Sequence, residues 1–149
     1  MSAPIYPGPS IAAGPLQYLH RARVFRAAVI SRPSYVNGEV NWLYYAMLTH
    51  AIELALKGYV QYVVAGGKAL PGKEPKQHDL SGWYRMAVQL GLPDEPGALE
   101  NTDLLNELHS NHYMRYPQRR DTPIPSFDTI ADTTVDHLLT VITAIVSPR

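Results

Sequence analysis

The chain has 149 residues, 13 Lys plus Arg against 13 Asp plus Glu, no net charge and no cysteine. That length suits one compact domain, which buries roughly 70% of the surface its unfolded chain exposes, and the missing thiols exclude disulfide scaffolds, thiolate zinc sites and cysteine nucleophiles. Neutrality argues against a dedicated duplex binder, which must neutralise several phosphates, but leaves room for a local patch that meets single strands or nucleotides.

Residues 1–15 carry Pro4, Pro7, Pro9 and Pro15 with Gly8 and Gly14, and have neither a basic start nor an apolar core. They read as an extended Pro-rich arm and not as a signal peptide, because proline removes an amide donor and disfavours helix in the residue before it. Residues 16–149 read as one helical bundle domain. From Leu16 to Ser31 the set Tyr18, Ala22, Phe25 and Val29 recurs at helical spacing, and Pro33 ends that helix. Asn37-Gly38 then predicts a turn.

Asn41 to Ala65 is apolar or aromatic at most positions, a helix of roughly 37 Å. Its exceptions His50, Glu53, Lys57 and Gln61 fall three, four and four residues apart, which makes one narrow polar stripe on an apolar rod. This rod is expected at the centre of the bundle. Gly58 within it costs roughly 1 kcal/mol against alanine and predicts close approach of a neighbouring helix or chain; Gly66-Gly67 stops the helix. Lys68 to Gln77 reads as a loop. His78 and Asp79 open a helix to about Leu90, with Trp83, Ala87 and Leu90 inward and the acid favourable at the positive end. A fourth helix is expected from about Ala98 to Met114 with Leu104, Leu105 and Leu108 inward, closed by Pro117. A last one runs from near Ser126 to about Val146, with Ala131, Val135, Leu138, Ile142 and Ile145 inward. The fold class is therefore all-α, an antiparallel up-and-down bundle of about five helices around the long apolar one.

The longest apolar run, Trp42 to Leu48, is far short of the roughly 20 residues that cross a bilayer, so no membrane span and a cytoplasmic location are expected. Charge is uneven: residues 1–38 hold four Arg and no acid, while residues 98–149 hold seven acids against four Arg, an asymmetry that guides self-association or an anionic ligand, or is ordinary solvated charge. Tyr44, Tyr45, Tyr59 and Tyr62 on the long helix are more hydroxyls than one core satisfies easily, which favours a homodimer across it.

Three features resemble the HEPN superfamily of helical domains: His50-Ala51-Ile52-Glu53-Leu54-Ala55-Leu56-Lys57, then His78-Asp79-Leu80 opening a helix, then Arg115-Tyr116-Pro117 closing one. The resemblance covers residues 16–146. It implies a small, usually dimeric helical bundle from toxin–antitoxin systems, phage defence, RNA processing or nucleotide-linked stress responses, with many members acting as metal-independent ribonucleases. Those catalytic members carry an Arg followed, after four to six residues, by a His. None of the nine Arg here has a His at that separation, so the resemblance implies a noncatalytic, homodimeric binding or interaction module for a nucleic acid or nucleotide, with a possible cognate partner protein.

Two clusters carry the candidate chemistry. His109, His112 and Arg115 stand at i, i+3 and i+6 near a helix end, where paired imidazoles can move protons in phosphodiester transesterification while the guanidinium stabilises the phosphorane; this is the alternative, a ribonuclease with a nonstandard site. As a structural set, the two His are simply partly exposed and Arg115 caps carbonyls. The ligand-binding candidates are His50, Glu53, Lys57, His78, Arg115 and Tyr116: Glu53 and Lys57 are ordered for a helical ion pair, and the seam either stays a polar strip or meets His78 and Arg115 in a cluster. No metal site and no cofactor are expected, since no third ligand joins the His pairs and no phosphate-cradling glycine loop follows a strand.

Overall fold

Pro15 opens a helix in the computed structural model, whose described residues are 14–29, 35–36, 39–110 and 134–147. α1 spans Pro15–Ala27, with Gly14 extended before it. The fixed φ of proline suits a first helical position, where its missing N–H needs no partner, so residue 15 belongs to the bundle and not to the arm; residues 1–13 lie outside the described residues. α1 buries Leu19 and Ala22 and leaves Tyr18 and Phe25 half-buried. Of the predicted stripe Ala22 and Val29 are buried, and Leu19 joins them because α1 packs against two neighbours, α2 (Trp42–Ala65) and α5 (Asp136–Val146).

Between α1 and α2, β1 (Tyr35–Val36) and β2 (Glu39–Val40) pair antiparallel, Tyr35 opposite Val40. The expected turn Asn37-Gly38 lies outside the described residues. α2 runs for 24 residues. It starts where Asn41 Oδ1 accepts from the Tyr44 amide at 3.4 Å, and it stops before Gly67, whose φ of +102° suits only glycine. α2 packs against α1, α3 (Leu80–Gln89), α4 (Ala98–Ser110) and α5. Leu48, Ile52 and Leu56 on it are fully buried, each a contribution of about 1.5–3 kcal/mol in apolar burial. Gly58 is the closest approach: a Cβ there would lie 3.1 Å from Tyr18 Cβ and 3.2 Å from the Pro15 carbonyl oxygen.

The described secondary structure is thus helical apart from the short hairpin, with five helices. Contacts give their directions. Tyr18 lies at Gly58 and Phe25 stacks on His50, so α1 and α2 are antiparallel. α3 instead advances in the same sense as α2, since His78 meets Glu53, Trp83 meets Lys57 and Leu90 meets Tyr59. The connection 66–79 is long enough to carry the chain back along α2 before α3 begins. α4 runs against α3, with Arg85 at Asp103 and Leu80 at Asn106. α5 runs against α1, through a two-pronged Arg26–Asp136 pair at 2.7 and 3.0 Å and an Arg23–Thr143 bond at 2.7 Å.

The first turn of α3 is held by side chains. Asp79 Oδ1 accepts from Gly82 N at 3.0 Å and Asn106 Oδ1, from α4, accepts from Leu80 N at 2.8 Å, so two of the orphan amides of the first turn are satisfied. Leu80, Trp83, Tyr84, Met86, Ala87 and Leu90 are buried. On α4 the expected inward trio divides: Leu105 is buried, Leu104 is 39% exposed, and the Leu108 side chain lies outside the described residues. Only one of two adjacent helix positions, about 100° apart, can face the same neighbour, and the buried Thr102 shares the Leu105 side. The predicted extension to Met114 and the stretch from Ser126, including Ala131, fall outside the described residues. α5 buries Leu138, Ile142 and Val146, with Val135 buried just before it and Ile145 half-buried.

Tyr84 ties α3 to the chain beyond it. Its hydroxyl donates to Asp94 Oδ1 at 2.7 Å and accepts from the Glu95 amide at 3.1 Å. Burial, reinforced by the bond to Asp94, pushes its pKa up to about 12. The unfolded chain ionises this group near pH 10. Between those values the unfolded state has shed the proton that the fold retains, so stability is complete below pH 10 and falls as the pH rises to 12, by at most about 2–3 kcal/mol. Urea midpoints of the wild type at pH 8.5 and 11.5 should separate more than those of Tyr84→Phe; equal separations would contradict this assignment.

Candidate functional site

α2 places Glu53 against the loop entering α3, and its carboxylate is 4% exposed. A buried carboxylate requires partners. His78 Nδ1 lies 2.9 Å from Oε1, and Lys57 Nζ, one turn further along α2, lies 3.3 Å from Oε2. The Lys57 ammonium also sits 5.3 Å from the centroid of the Trp83 ring, a cation–π distance. Trp83 is fixed in turn by its indole N–H, which donates to the Lys76 carbonyl at 3.1 Å. α2, α3 and the connection between them therefore meet at one ionic and aromatic junction.

The polar stripe of α2 does not act as one unit. Glu53 and Lys57 turn toward α3 with His78, whereas the His50 ring stacks on Phe25 of α1 at 5.3 Å. Gln61 belongs to the wall of a cleft. Of the remaining sequence candidates, His109 falls within α4 but its side chain lies outside the described residues, as do His112, Arg115 and Tyr116 altogether. Among the described residues no group of three His, Asp, Glu or Cys side chains is placed to hold a metal ion, and no helix is long and apolar enough to cross a membrane.

Beside the junction lies a cleft of about 620 Å³, between the start of α1, the second half of α2, the 66–79 connection and α3, within the size range of small-ligand sites. Val60, Val64, Leu70 and Pro75 form apolar wall, and Lys57, Gln61, Glu74 and Gln77 supply polar groups. Sequence reasoning found Lys57 and Gln61 through helical spacing. It missed Tyr18, Trp83, Leu70 and Gln77, because they come from three separate segments and no local pattern joins them. A second, more open groove between α1 and α5 is lined by Arg23 with Thr140, Thr143 and Ser147.

The tyrosine count has a simpler outcome than the sequence suggests. One chain buries Tyr44, Tyr45 and Tyr59 on its own, and Tyr59 donates to the Leu90 carbonyl at 3.3 Å; burial raises its pKa. Only Tyr62 of the four is substantially exposed, at 37%. The other three rings are covered within one chain. In comparison with known proteins, the chain matches no family model, and neither a curated protein nor a solved structure matches it.

Proposed function

We propose that the protein is a noncatalytic, cytoplasmic helical binding module that acts as a homodimer on a nucleic acid or nucleotide, with a cognate partner protein, in bacterial stress or phage defence. The observation that carries this reading is the separation of its polar residues. Glu53 and Lys57 are committed to a buried junction, with the more exposed His78 at its edge, that joins secondary structure elements, while α1 exposes His20, Arg21 and Arg23 to solvent. Exposed basic groups suit phosphate contacts, which need charge at the surface and no reacting group. Exposed Leu16, Val24 and Leu43, at 59%, 54% and 64%, supply apolar surface for self-association.

Fluorescence anisotropy with labelled single-stranded RNA tests the reading. Binding should weaken as salt rises, and Arg21→Glu with Arg23→Glu should reduce affinity about tenfold or more. Sedimentation should report a dimer. Incubation with mixed-sequence RNA should leave the RNA intact; cleavage that His112→Ala abolishes would replace this reading with that of an endoribonuclease using His109, His112 and Arg115.

A further inference from the structure

We infer that the cleft beside the Glu53–Lys57 junction is a site for an uncharged small molecule with an aliphatic body and a carbonyl or carboxamide head. This goes beyond the nucleic-acid reading and does not depend on it. The walls decide the body. Val60, Val64, Leu70 and Pro75 are aliphatic, the Trp83 ring is 4% exposed with Lys57 over it, and the half-buried Tyr18 is the other aromatic residue at the cleft, so aliphatic surface makes up most of the apolar wall. It offers flexible apolar surface that a chain or branched aliphatic group covers.

The polar groups decide the head. Lys57 has three donors and a side chain only 13% exposed, and Glu53 engages it at 3.3 Å. Lys57 lines the cleft, where an acceptor from a ligand would meet the donors that Glu53 does not engage. A carboxylate would supply one, but the Lys57 charge is already matched by Glu53, and Glu74 adds a further negative charge to the wall; a second anion at a desolvated pair is costly. An ammonium cannot accept from Lys57 at all. An amide or ketone oxygen accepts without adding charge. Gln61 and Gln77 line the cleft, and their side-chain amides each present a donor and an acceptor that complement a carboxamide.

A series with one body and three heads tests this on the full chain: octanamide, octanoate and octylamine. The protein has two tryptophans, and Trp42→Phe leaves Trp83 as the reporter. Octanamide should shift the Trp83 emission with a dissociation constant below about 1 mM, and octanoate and octylamine should each bind at least tenfold more weakly. Gln61→Leu keeps the apolar surface while removing the amide, and should weaken octanamide several-fold. Leu70→Asp, at an exposed wall position, should abolish binding with an unchanged melting temperature. Tighter binding of octylamine or octanoate, equal binding by Gln61→Leu, or no response to octanamide in fluorescence and calorimetry would each overturn the assignment. RNA binding that persists through these outcomes leaves the nucleic-acid reading standing.

Discussion

Replacing Glu53 by alanine is expected to destabilise the protein by about 3–5 kcal/mol, the cost of breaking a buried pair and leaving one partner charged. The reason lies in what remains. Lys57, 13% exposed, keeps its charge above the Trp83 ring but loses its counter-ion, and His78 loses the acceptor 2.9 Å from Nδ1. The loss should be far smaller when both charges go together: Glu53→Met with Lys57→Met removes the unpaired ion and fills similar volume, which is often neutral or better for buried pairs. Urea unfolding of Glu53→Met, Lys57→Met and the double variant closes this cycle. A single Glu53→Ala variant as stable as the wild type would show that the junction does not hold α2 to α3.

Gly58→Val is expected to cost about 2–3 kcal/mol, the range for forcing extra carbon into a packed contact. Even the first added carbon would sit 3.1 Å from Tyr18 Cβ and 3.2 Å from the Pro15 carbonyl. Both of these belong to the α1 framework and not to a flexible side-chain tip, so relief requires α1 to move away from α2. That movement would also pull on Arg26–Asp136 and Arg23–Thr143, which tie α1 to α5. Hydrogen exchange should therefore show loss of protection along α1 as well as a lower global midpoint. A midpoint equal to that of the wild type would mean that the helices are not in close contact at this position. The same result would also undercut the use of glycine here as a sign of helix approach.

The sequence by itself determined the element types and many of their ends, because those depend on local chemistry. Periodicity near 3.6, the acid at Asp79 that opens α3, the Gly66-Gly67 stop and the crowding signal at Gly58 all act within a few residues of themselves. It also determined that Glu53 and Lys57 meet, since i and i+4 share a helix face. What only the tertiary structure decided is which faces are covered and which elements run together. The inward side of α1 is set by two neighbours at once, Leu104 and Leu105 compete for one contact, and α3 runs in the same sense as α2 because the 66–79 connection brings the chain back first. The cleft depends on that return: it sets Leu70, Pro75, Gln77 and Trp83 opposite Val60 and Gln61. These residues are far apart along the chain and meet only through packing, and packing among distant segments leaves no periodic mark in a single sequence.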